Sequence, residues 1–451
     1  MKIDLSPQIN ENPAGRAALF VVHQIQQAGY QALFVGGGVR DLLLHDAPHD
    51  FDIATAARPD VLTQLFPDSN QVGAKFGVFI IRREEFFVEV ATFREEGEYN
   101  DRRRPDLVKF SSLDADARRR DFTVNALFYD PISRELKDLV GGVDDLKQKR
   151  LRCVGQPEER FKEDALRIMR GVRFAANLDF TIEQQTWQAL CQLAPLTQEI
   201  SIERVRDELI KGFTGAHPER FLDLLNDSGL LEIFLPEVHA LHGCMQPPEF
   251  HPEGDVYQHT RLLLKQLKPR PSPELAMAVL LHDIGKPPTQ TVEDRIRFNG
   301  HDKVGAAMAD EICRRLRFSN RQIQEIATMV RRHMQFMNLP NMRKATLQRF
   351  LAEPTIEDEL ELHRVDCLAS HGGLDTWHLA GRQLEEFHAE QSEAGKLPKP
   401  FVTGRDLIEL GMDPGPQFAV ILREIFDAQL EGQFASREEA LQHLQNTITR
   451  K

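Results

Sequence analysis

The chain has 451 residues, of which 41% are hydrophobic and 28% are charged, and its formal net charge is −13. The length suggests about three domains, and the acidic balance argues against a generic nucleic-acid binder. No apolar run approaches the ~18 residues of a membrane span, so we expect no membrane partner.

The cysteines and the N-terminus point to a cytoplasmic protein. The first ten residues, MKIDLSPQIN, lack the apolar region of a secretory signal. The five cysteines are scattered and form no CxxC pair, as is typical of reduced structural thiols. The sequence leaves the oligomeric state open.

The first organised stretch follows a helix predicted over residues 15–29. Residues 32–55, ALFVGGGVRDLLLHDAPHDFDIAT, predict a strand, a glycine turn, a short helix, a turn and a second strand. Because alternate residues of a strand share a face, Asp50 and Asp52 point the same way and Phe51 points into the core. Two neighbouring carboxylates repel each other unless a cation lies between them, and hard oxygen ligands suit Mg²⁺. The pair therefore predicts a Mg²⁺ site.

The glycine turn lies just before these carboxylates. Gly36 and Gly37 allow backbone N–H groups to come close to an anion, and Arg40 adds a charged donor. A Gly-Gly turn and an Asp-x-Asp pair are each common without function. Together on one short unit, they suggest a phosphate cradle beside a metal site, and hence nucleotidyl transfer.

A short helix over 59–66 and strands over 72–81 and 86–93 come next. In the last strand, FFVEVATF, Glu89 is the only acid in an apolar alternation. A buried acid is costly unless it is paired, so Glu89 is a candidate third metal carboxylate. The alternative is an edge acid that faces solvent, since strand alternation exposes one face.

A charged segment over 94–113 predicts a mobile loop that carries Arg102, Arg103 and Arg104. A helix is predicted to start at Asp116, with Arg120 near its N-terminal end, where anions are favoured. Residues 101–120 contain seven Lys and Arg against four Asp and Glu, whereas residues 351–400 contain four against eleven. RNA could dock on the basic part, although solvated charged faces have the same composition. A strand and turn over 127–142 then end the first domain.

A predicted helix over 160–176 carries Asp164 and Arg167 one turn apart. The simple interpretation is an intrahelical salt bridge. The functional one is base selection, because a carboxylate only accepts and a guanidinium only donates hydrogen bonds. Cytosine and adenine both present an amine beside a ring-nitrogen acceptor, whereas uracil and guanine present the opposite pattern. The pair would therefore admit C and A and reject U and G.

A second cluster of candidate residues follows Pro247 and Pro248, on separate predicted helices. A single histidine on an apolar helix is usually a core residue, but adjacent His and Asp with further ligands elsewhere favour a divalent metal site. The candidate ligands are His259, His282, Asp283, His301, His333 and Asp366. The chain beyond residue 375 is charged and helical, with a helix predicted over 417–430.

Six motifs now resemble those of the class II CCA-adding tRNA nucleotidyltransferases and their bacterial poly(A) polymerase relatives. They are VGGGVRD, HDFDIAT, VEVATFR, RRRDFTVNAL, EDALRIMRGVRFA and ISIERVRDEL, in that order within residues 17–238. The later His and Asp cluster is similar to the HD phosphohydrolase domain that is fused to many of these enzymes. His45, where the family commonly has Gly, departs only at a turn.

This resemblance implies a role for each matched residue. Asp50 and Asp52 would hold Mg²⁺, Gly37, Arg40 and Arg120 would contact the nucleotide's phosphates and sugar, and Asp164 and Arg167 would select C and A. The neck residues Arg170 and Arg173 would complete the nucleotide pocket. In the HD part His259, His282, Asp283 and Asp366 match the core ligands, and His301 and His333 match additional ones for Ni²⁺, Mn²⁺ or Mg²⁺.

The expected activity is template-independent addition of CMP and AMP to the 3′ end of tRNA from CTP and ATP. The full-length loop over 94–113 argues against enzymes that add only CC, which lack it. It leaves A-only addition and poly(A) synthesis as alternatives, although the HD fusion disfavours the latter. A hydrolase of phosphomonoesters or cyclic phosphodiesters at the HD site is an alternative of another class.

The expected fold is α+β, with a small mixed-sheet nucleotidyltransferase head followed by mostly helical parts. We predict a head over residues 1–142 and a helical neck over 143–240 that selects the nucleotide. An HD domain is predicted over 241–372, and a helical tail that contacts RNA over 373–451.

Overall fold

The structure is a computed structural model, and it describes residues 1–69, 77–96, 108–249, 251–370, 372–390 and 396–448, without the side chains of residues 95, 96, 108, 109, 447 and 448. The three arginines predicted for the mobile loop, Arg102, Arg103 and Arg104, lie outside the described residues, as do residues 72–76 of a predicted strand. The chain divides into two units, Met1–Pro236 and Glu237–Lys451.

The described strands are short and most of them lie in the first unit. Six of them form one mixed sheet in the order β3-β4-β2-β1-β7-β8. The pairs β1–β2, β1–β7, β3–β4 and β7–β8 are antiparallel, and β2–β4 is parallel. The strands are β1 Ala32–Val35, β2 Asp52–Thr55, β3 Val78–Arg83, β4 Phe86–Thr92, β5 Arg94–Glu96, β6 Val108–Phe110, β7 Leu127–Asp130, β8 Glu135–Asp138, β9 Arg150–Leu151, β10 Thr181–Ile182, β11 Gln290–Val292 and β12 Ile296–Phe298.

Helices make up most of the rest of the described chain. The expected α+β class, with a mixed-sheet head and helical parts after it, is confirmed. The helices are α1 Ser6–Glu11, α2 Pro13–Gln27, α3 Gly37–Leu43, α4 Pro59–Leu65, α5 Leu113–Arg118, α6 Gly142–Lys147, α7 Pro157–Glu163, α8 Leu166–Asn177, α9 Gln184–Leu193, α10 Ile202–Phe213, α11 Pro218–Asp227, α12 Leu230–Phe234, α13 Pro236–His239, α14 Val256–Gln266, α15 Pro273–Leu281, α16 Lys286–Thr289, α17 His301–Arg315, α18 Asn320–Arg332, α19 Lys344–Leu351, α20 Ile356–Ala369, α21 Asp375–Glu390, α22 Gly404–Glu409, α23 Gln417–Leu430 and α24 Arg437–Ile448.

Helix α2 covers one face of the six-stranded sheet and contacts β1, β2 and β4. Its side chains Ala18, Val21, Val22 and Ile25 are fully buried, because they recur at the 3.6-residue period of an amphipathic helix. Phe51 is buried on this side, next to Gly15 of α2. Since strand neighbours alternate between faces, Asp52 points away from α2, as the sequence predicted.

The prediction that a helix starts at Asp116 is wrong. Helix α5 ends at Arg118, before Arg120, and only a 3₁₀ turn over Thr123–Asn125 follows. The reason is local, because the Asp121 carboxylate accepts the N–H of Phe122 at 2.7 Å and competes with helical bonding. Arg120 therefore lies in a turn, not near a helix N-terminus.

The prediction of a single helix over 160–176 is also wrong, because the helix is interrupted at Asp164. Asp164 has extended backbone (φ −140°, ψ 103°) between α7 and α8. Its carboxylate accepts the N–H of Leu166 at 3.0 Å, so a short acidic side chain replaces one helical bond at this point. Asp164 and Arg167 are therefore not neighbours on one helix face.

The second unit is built from packed helices and one small hairpin, β11–β12. Helix α18 packs on α15 and α17, and α14 packs on α20. Helix α15 is buried on nearly all sides, and His282 and Asp283 follow directly at its end. This packing carries ligand-type side chains from different helices towards one place. Among the described residues, no helix is both long and apolar enough to cross a membrane.

Candidate functional site

The predicted metal carboxylates lie at one end of the six-stranded sheet. Asp52 begins β2, and the register of β2 against β4 pairs Ile53 with Val90, which places Asp52 beside Glu89. Burial, with the negative charges of Glu89 and Asp50, raises the pKa of Asp52 to about 7, although Arg120 lowers it. Asp50 and Glu89 are exposed, and Asp52 is partly buried. These carboxylates share one electrostatic environment, and such crowding is relieved by a cation.

The glycine turn borders the same carboxylates. Gly36 has a φ of +77°, and a Cβ there would lie 3.7 Å from Asp52 Oδ2 and 3.8 Å from an Arg120 nitrogen. A Cβ at Gly38 would lie 2.7 Å from the Asp50 carbonyl oxygen. Glycine is needed at both positions, at the first for its backbone conformation and at the second for the close approach. The turn thus keeps open a space between Asp52 and Arg120.

The arginines predicted to bind phosphate are held by partners. Arg40 is buried and donates to Asp41 at 2.8 Å and to the Asn125 side chain at 2.7 Å. Arg120 donates to the fully buried carboxylate of Asp116 at 3.0 Å. Burial raises the pKa of Asp116, but the nearby Arg120 and Arg119 outweigh this and lower it overall. The cations are therefore fixed in place before any anion binds.

Arg170 and Arg173 of α8 extend this arrangement into the neck. Arg170 donates to Asp121 at 2.8 Å, and Arg173 pairs with Glu208 of α10. Burial acts to raise the pKa of Asp121, but Arg170 and further hydrogen bonds lower it to about 2. The guanidinium carbons of Arg40, Arg170 and Arg173 lie 5.5, 5.1 and 4.0 Å from the ring centroid of Phe174. One aromatic ring thus contacts three cations.

The two residues predicted to select the base have different partners. Arg167 donates to the Glu163 carboxylate at 2.7 Å and to the backbone carbonyl of Arg119 at 3.0 Å. Asp164 accepts from Arg204 of α10 at 3.1 Å. Each side chain thus has a partner outside the predicted pair, Glu163 for Arg167 and Arg204 for Asp164, because the helix is interrupted at Asp164.

Sequence reasoning missed the acids and amides that orient these cations. Asp121 and Asn125 lie inside the quoted motif RRRDFTVNAL, but a single sequence does not indicate that they contact Arg170 and Arg40. Phe174 lies inside the neck motif and has no signal of its own. Glu163 directly precedes Asp164 in the sequence. Only the interruption of the helix shows that the two acids bind different arginines, Arg167 and Arg204.

In the second unit, all six predicted metal ligands come together around Asp283. The Nε2 atoms of His282, His301 and His333 lie 3.1, 3.5 and 3.8 Å from the Asp283 carboxylate. Nε2 of His259 lies 3.1 Å from Asp366 and 3.7 Å from Asp283. The ligand atoms of two groups, His259 with His282 and Asp366, and Asp283 with His301 and His333, lie within 4.8 Å of one another in each group.

The opposite ring nitrogens of these histidines are all hydrogen-bonded. Nδ1 of His282, His301 and His333 lies 2.9, 2.8 and 2.6 Å from a backbone carbonyl oxygen, and so donates its proton there. Nδ1 of His259 lies 2.7 Å from Glu253. For His282, His301 and His333 these bonds assign the free lone pair to Nε2, the arrangement of metal-binding histidines. Nε2 of His282 is buried and makes no well-formed hydrogen bond with any described residue.

Burial and charges in the cluster shift the pKa values of His333 and His259 in opposite directions. Burial, together with the nearby imidazoles of His282 and His301, lowers the pKa of His333 to about 4, although Asp283 acts to raise it. Burial also acts to lower the pKa of His259, but Asp366 and Glu253 outweigh it and raise the pKa to about 9. The pKa of the buried Asp283 is well below its usual value, because His282 and Lys286 offset its burial. The donor set of imidazoles and carboxylates fits a divalent metal.

The cluster opens into a cavity of about 670 Å³. Three cationic side chains line it, Lys286, Arg295 and Arg297, together with apolar groups such as Phe298 and Met334. Lys286 Nζ lies 2.5 Å from Asp283 and 2.6 Å from Gln246. Sequence reasoning missed Lys286. It also missed His251 and Glu253, which form another group of potential ligands with His259. Lys286 lies three residues after the predicted ligand Asp283.

Family models match three stretches of the chain. The Poly A polymerase head domain matches residues 32–152, and the probable RNA and SrmB-binding site of polymerase A matches residues 179–241. The HD domain matches residues 255–369. The head and HD matches imply divalent metals, in agreement with the carboxylates of β2 and the histidine cluster.

Curated relatives extend over the whole chain. The CCA-adding enzyme of Lactobacillus helveticus is 32% identical over 430 residues, which are 94% of this chain and 95% of that protein. The CCA-adding enzyme of Enterococcus faecalis is 47% identical over 198 residues, 44% of this chain and 48% of that one. The crystal structure of the Bacillus stearothermophilus CCA-adding enzyme in complex with CTP has a TM-score of 0.72 and 28% identity, covering 97% and 99% of the two chains.

Proposed function

Because this chain belongs to the family of CCA-adding enzymes, as its motifs predicted, we propose that it adds CMP and AMP to the 3′ end of tRNA. CTP and ATP are the substrates, and tRNA is the acceptor. The observation that supports this most directly is the juxtaposition of Asp50, Asp52 and Glu89 with the Gly36 turn. A set of carboxylates beside an open anion cradle is what nucleotidyl transfer requires.

The carboxylates are proposed to hold Mg²⁺, which suits their hard oxygen donors. When bound there, Mg²⁺ supplies activation of the RNA 3′-hydroxyl and charge neutralisation at the reacting and leaving phosphates. Asp50 and Asp52 orient the reacting groups between β2 and the glycine turn. Glu89 is proposed as a further carboxylate on the side of β4. The raised pKa of Asp52 supports this, because burial raises it first and the negative charges of Glu89 and Asp50 add to it, and a bound cation offsets both effects.

The triphosphate is proposed to lie along the glycine turn and the arginines beyond it. Gly36 and Gly37 leave room for backbone N–H groups to contact phosphate, and Arg40 and Arg120 border that space. Arg170 and Arg173 are proposed to complete the pocket from the neck. Because each guanidinium already has an acidic or amide partner, the pocket loses little side-chain entropy when the nucleotide binds.

Asp164 and Arg167 are proposed to select the base. Arg167 would donate to the ring nitrogen of cytosine or adenine, and Asp164 would accept from the exocyclic amine. Uracil and guanine would present a carbonyl to the carboxylate and an N–H to the guanidinium. The separate anchoring of the two side chains supports this role, because Glu163 holds one and Arg204 holds the other.

The acceptor stem of tRNA is proposed to contact the helical region after the head. Residues 179–241 match an RNA-binding family model. The relatives that match nearly the whole chain are CCA-adding enzymes, which favours CCA addition over the alternatives of A-only addition and poly(A) synthesis. All five cysteines are free, which supports a reducing, cytoplasmic environment.

Product lengths test this proposal. The protein is incubated with tRNA ending at the discriminator base, at CC and at CCA, with CTP and ATP separately and together. We expect two additions from CTP on the first substrate, one from ATP on the second, and none on the third. Addition of A alone, or of long A tails, would instead support the alternatives.

A second activity, hydrolysis of phosphate esters, is proposed for the HD cluster. The observation that favours it is the convergence of four histidines and two aspartates, of which Asp283, Asp366, His301 and His333 line a cavity together with three cationic side chains. A metal there, Ni²⁺, Mn²⁺ or Mg²⁺, would polarise the phosphate and activate water. Hydrolysis of a 2′,3′-cyclic phosphate is assayed with each metal. We expect His282→Ala to lose hydrolysis and retain nucleotide addition, and Asp52→Asn to show the reverse.

A further inference from the structure

Phe87 is the most exposed phenylalanine among the described residues, with 69% of its surface accessible. It lies on β4 two residues before Glu89 and therefore on the same face of the sheet. At about 3.3 Å per strand residue, the two positions are about 6.6 Å apart along the strand. An exposed aromatic ring next to the proposed metal carboxylates favours binding of a ligand with an apolar face.

The neighbouring strand adds a cation and further apolar surface to this face. In the β3–β4 register, Arg82 is opposite Phe87, and Ile80 is opposite Glu89. Arg82 is exposed, and its Nε donates to the carbonyl of Glu84 at 3.2 Å. Ile80 and Ala91 are only half-buried on the same face. The surface formed by Arg82, Phe87, Ile80 and Ala91 is called the β3–β4 platform below.

The sheet order places the β3–β4 platform opposite the nucleotide cradle. In the order β3-β4-β2-β1-β7, the carboxylates of β2 lie between β4 and the glycine turn that follows β1. Because β1 is antiparallel to β2, the end of β1 and the start of β2 meet at the same end of the sheet. Nucleotide transfer is an in-line displacement, so the attacking 3′-oxygen and the leaving pyrophosphate occupy opposite sides of the α-phosphate. With the triphosphate at the cradle, the acceptor RNA must approach from β4 and β3.

We propose that the β3–β4 platform binds the 3′-terminal nucleotides of the acceptor RNA, with a base stacked on Phe87 and a phosphate beside Arg82. This inference rests on the proposed nucleotidyl transfer. An exposed aromatic ring and a nearby cation are how proteins hold single-stranded RNA without reading its sequence. Such tolerance suits this site, because the RNA 3′ end is first the discriminator base and then C while the stacking surface stays the same.

The opposite face of the same hairpin provides a matched control. Arg83 points to that face, where its guanidinium lies 4.1 Å from the ring centroid of Phe20 on α2. Phe20 is 39% exposed, so it is also an accessible aromatic ring, but it does not adjoin the carboxylates. Substitution of Phe20 therefore removes the same chemical group without touching the β3–β4 platform.

Steady-state kinetics with Phe87→Ala, Phe87→Trp and Phe20→Ala test the inference. We expect Phe87→Ala to raise KM for tRNA ending at the discriminator base, C or CC by about tenfold, the loss of one base stack. KM for CTP and for ATP should not change, Phe87→Trp should restore the tRNA KM, and Phe20→Ala should match the wild type. An unchanged tRNA KM in Phe87→Ala, or an equal rise in Phe20→Ala, would overturn it.

Photocrosslinking supplies a direct measurement. With tRNA that ends in 5-iodocytidine, the crosslinked peptide is expected to contain Phe87, and crosslinks only to other peptides would contradict the proposal. The wild-type enzyme separates this inference from the function on which it rests. If the wild type extends tRNA and Phe87→Ala behaves identically, only the platform is wrong. If the wild type adds no nucleotide, the proposed function itself fails.

Discussion

The carboxylate of Asp164 accepts a hydrogen bond from Arg204 at 3.1 Å, across the gap between the start of α8 and α10. The guanidinium of Arg167 donates to Glu163 at 2.7 Å. The two residues proposed to select the base are thus oriented independently. Their relative geometry depends on the packing of α8 against α10.

Arg204→Ala is expected to lower base discrimination. Without Arg204 the Asp164 carboxylate keeps only the bond from the Leu166 N–H to Oδ1, so its Oδ2 is no longer held in place as an acceptor for the base. We expect the ratio of kcat/KM for CTP over UTP to fall by about tenfold, as for loss of one oriented hydrogen bond. Arg206→Ala is the control, because Arg206 lies on the same helix and pairs with the exposed Asp207. Equal ratios in both variants would refute the orientation by Arg204.

Asp52→Asn is expected to abolish nucleotide addition and to stabilise the metal-free head. The pKa of Asp52 is raised from 3.8 to about 7, so the folded state binds this proton more tightly than the unfolded state. In wild type, stability therefore falls as pH rises from about 4 to about 7, by up to roughly 4 kcal/mol at 1.36 kcal/mol per pKa unit. The Asn side chain has no carboxyl proton to lose, so the variant avoids this loss of stability as the pH rises.

Thermal unfolding with EDTA at pH 5 and pH 8 measures this effect. The variant should be more stable than wild type at pH 8, and the difference should shrink at pH 5. Mg²⁺ should stabilise the wild type and have less effect on the variant, while tRNA binding stays intact in both. Asp50→Ala should also abolish incorporation of both nucleotides. Normal turnover by this variant would contradict the assignment of Asp50 as a Mg²⁺ ligand.

Glu208→Ala is expected to destabilise the neck by about 3 kcal/mol. It leaves Arg173, whose side chain is 11% exposed, without its carboxylate partner, and a buried unpaired charge is costly. Asp207→Ala removes the adjacent exposed acid and should cost less than about 0.5 kcal/mol. Urea unfolding monitored by circular dichroism gives both values. Similar losses in the two variants would mean that the ion pair is not the cause.

Metal binding at the HD cluster is expected to release protons. In the metal-free protein the pKa of His259 is about 9, so its ring is protonated at pH 7 and must lose a proton to become a ligand. The pKa of His333 is about 4, so its ring is already neutral. We expect Ni²⁺ affinity to fall by roughly tenfold per pH unit from pH 8 to pH 6, with about one proton released.

Isothermal titration calorimetry in buffers of different ionisation enthalpy counts these protons. Asp52→Asn should titrate like the wild type, because the HD cluster lies in the other unit of the chain. His259→Ala should bind more weakly and with less dependence on pH. A pH-independent affinity of the wild type would contradict the assignment of His259 as a ligand.

The local elements of the chain were predictable where the periodicity is strong and a cap is visible. The strand, glycine turn and helix of residues 32–43 and the strand Phe86–Thr92 follow from alternation and glycine placement, and the structure contains them. Residues 94–96 and 108–110 lie in the segment predicted as a loop, but they form the paired strands β5 and β6. Two further errors fall at Asp164 and Asp121. There a carboxylate accepts a neighbouring backbone N–H, and periodicity does not register this competition.

The sequence by itself determined the family, the chemical type of each candidate ligand and the order of the motifs, because these depend on residue identity and spacing. Only the tertiary structure decided which cation meets which anion. Arg170 meets Asp121, and Arg204 meets Asp164, although 49 and 40 residues separate the partners. Such pairings depend on how helices and strands pack. Phe87 became informative only when the sheet order placed its exposed ring beside the carboxylates and away from the nucleotide cradle.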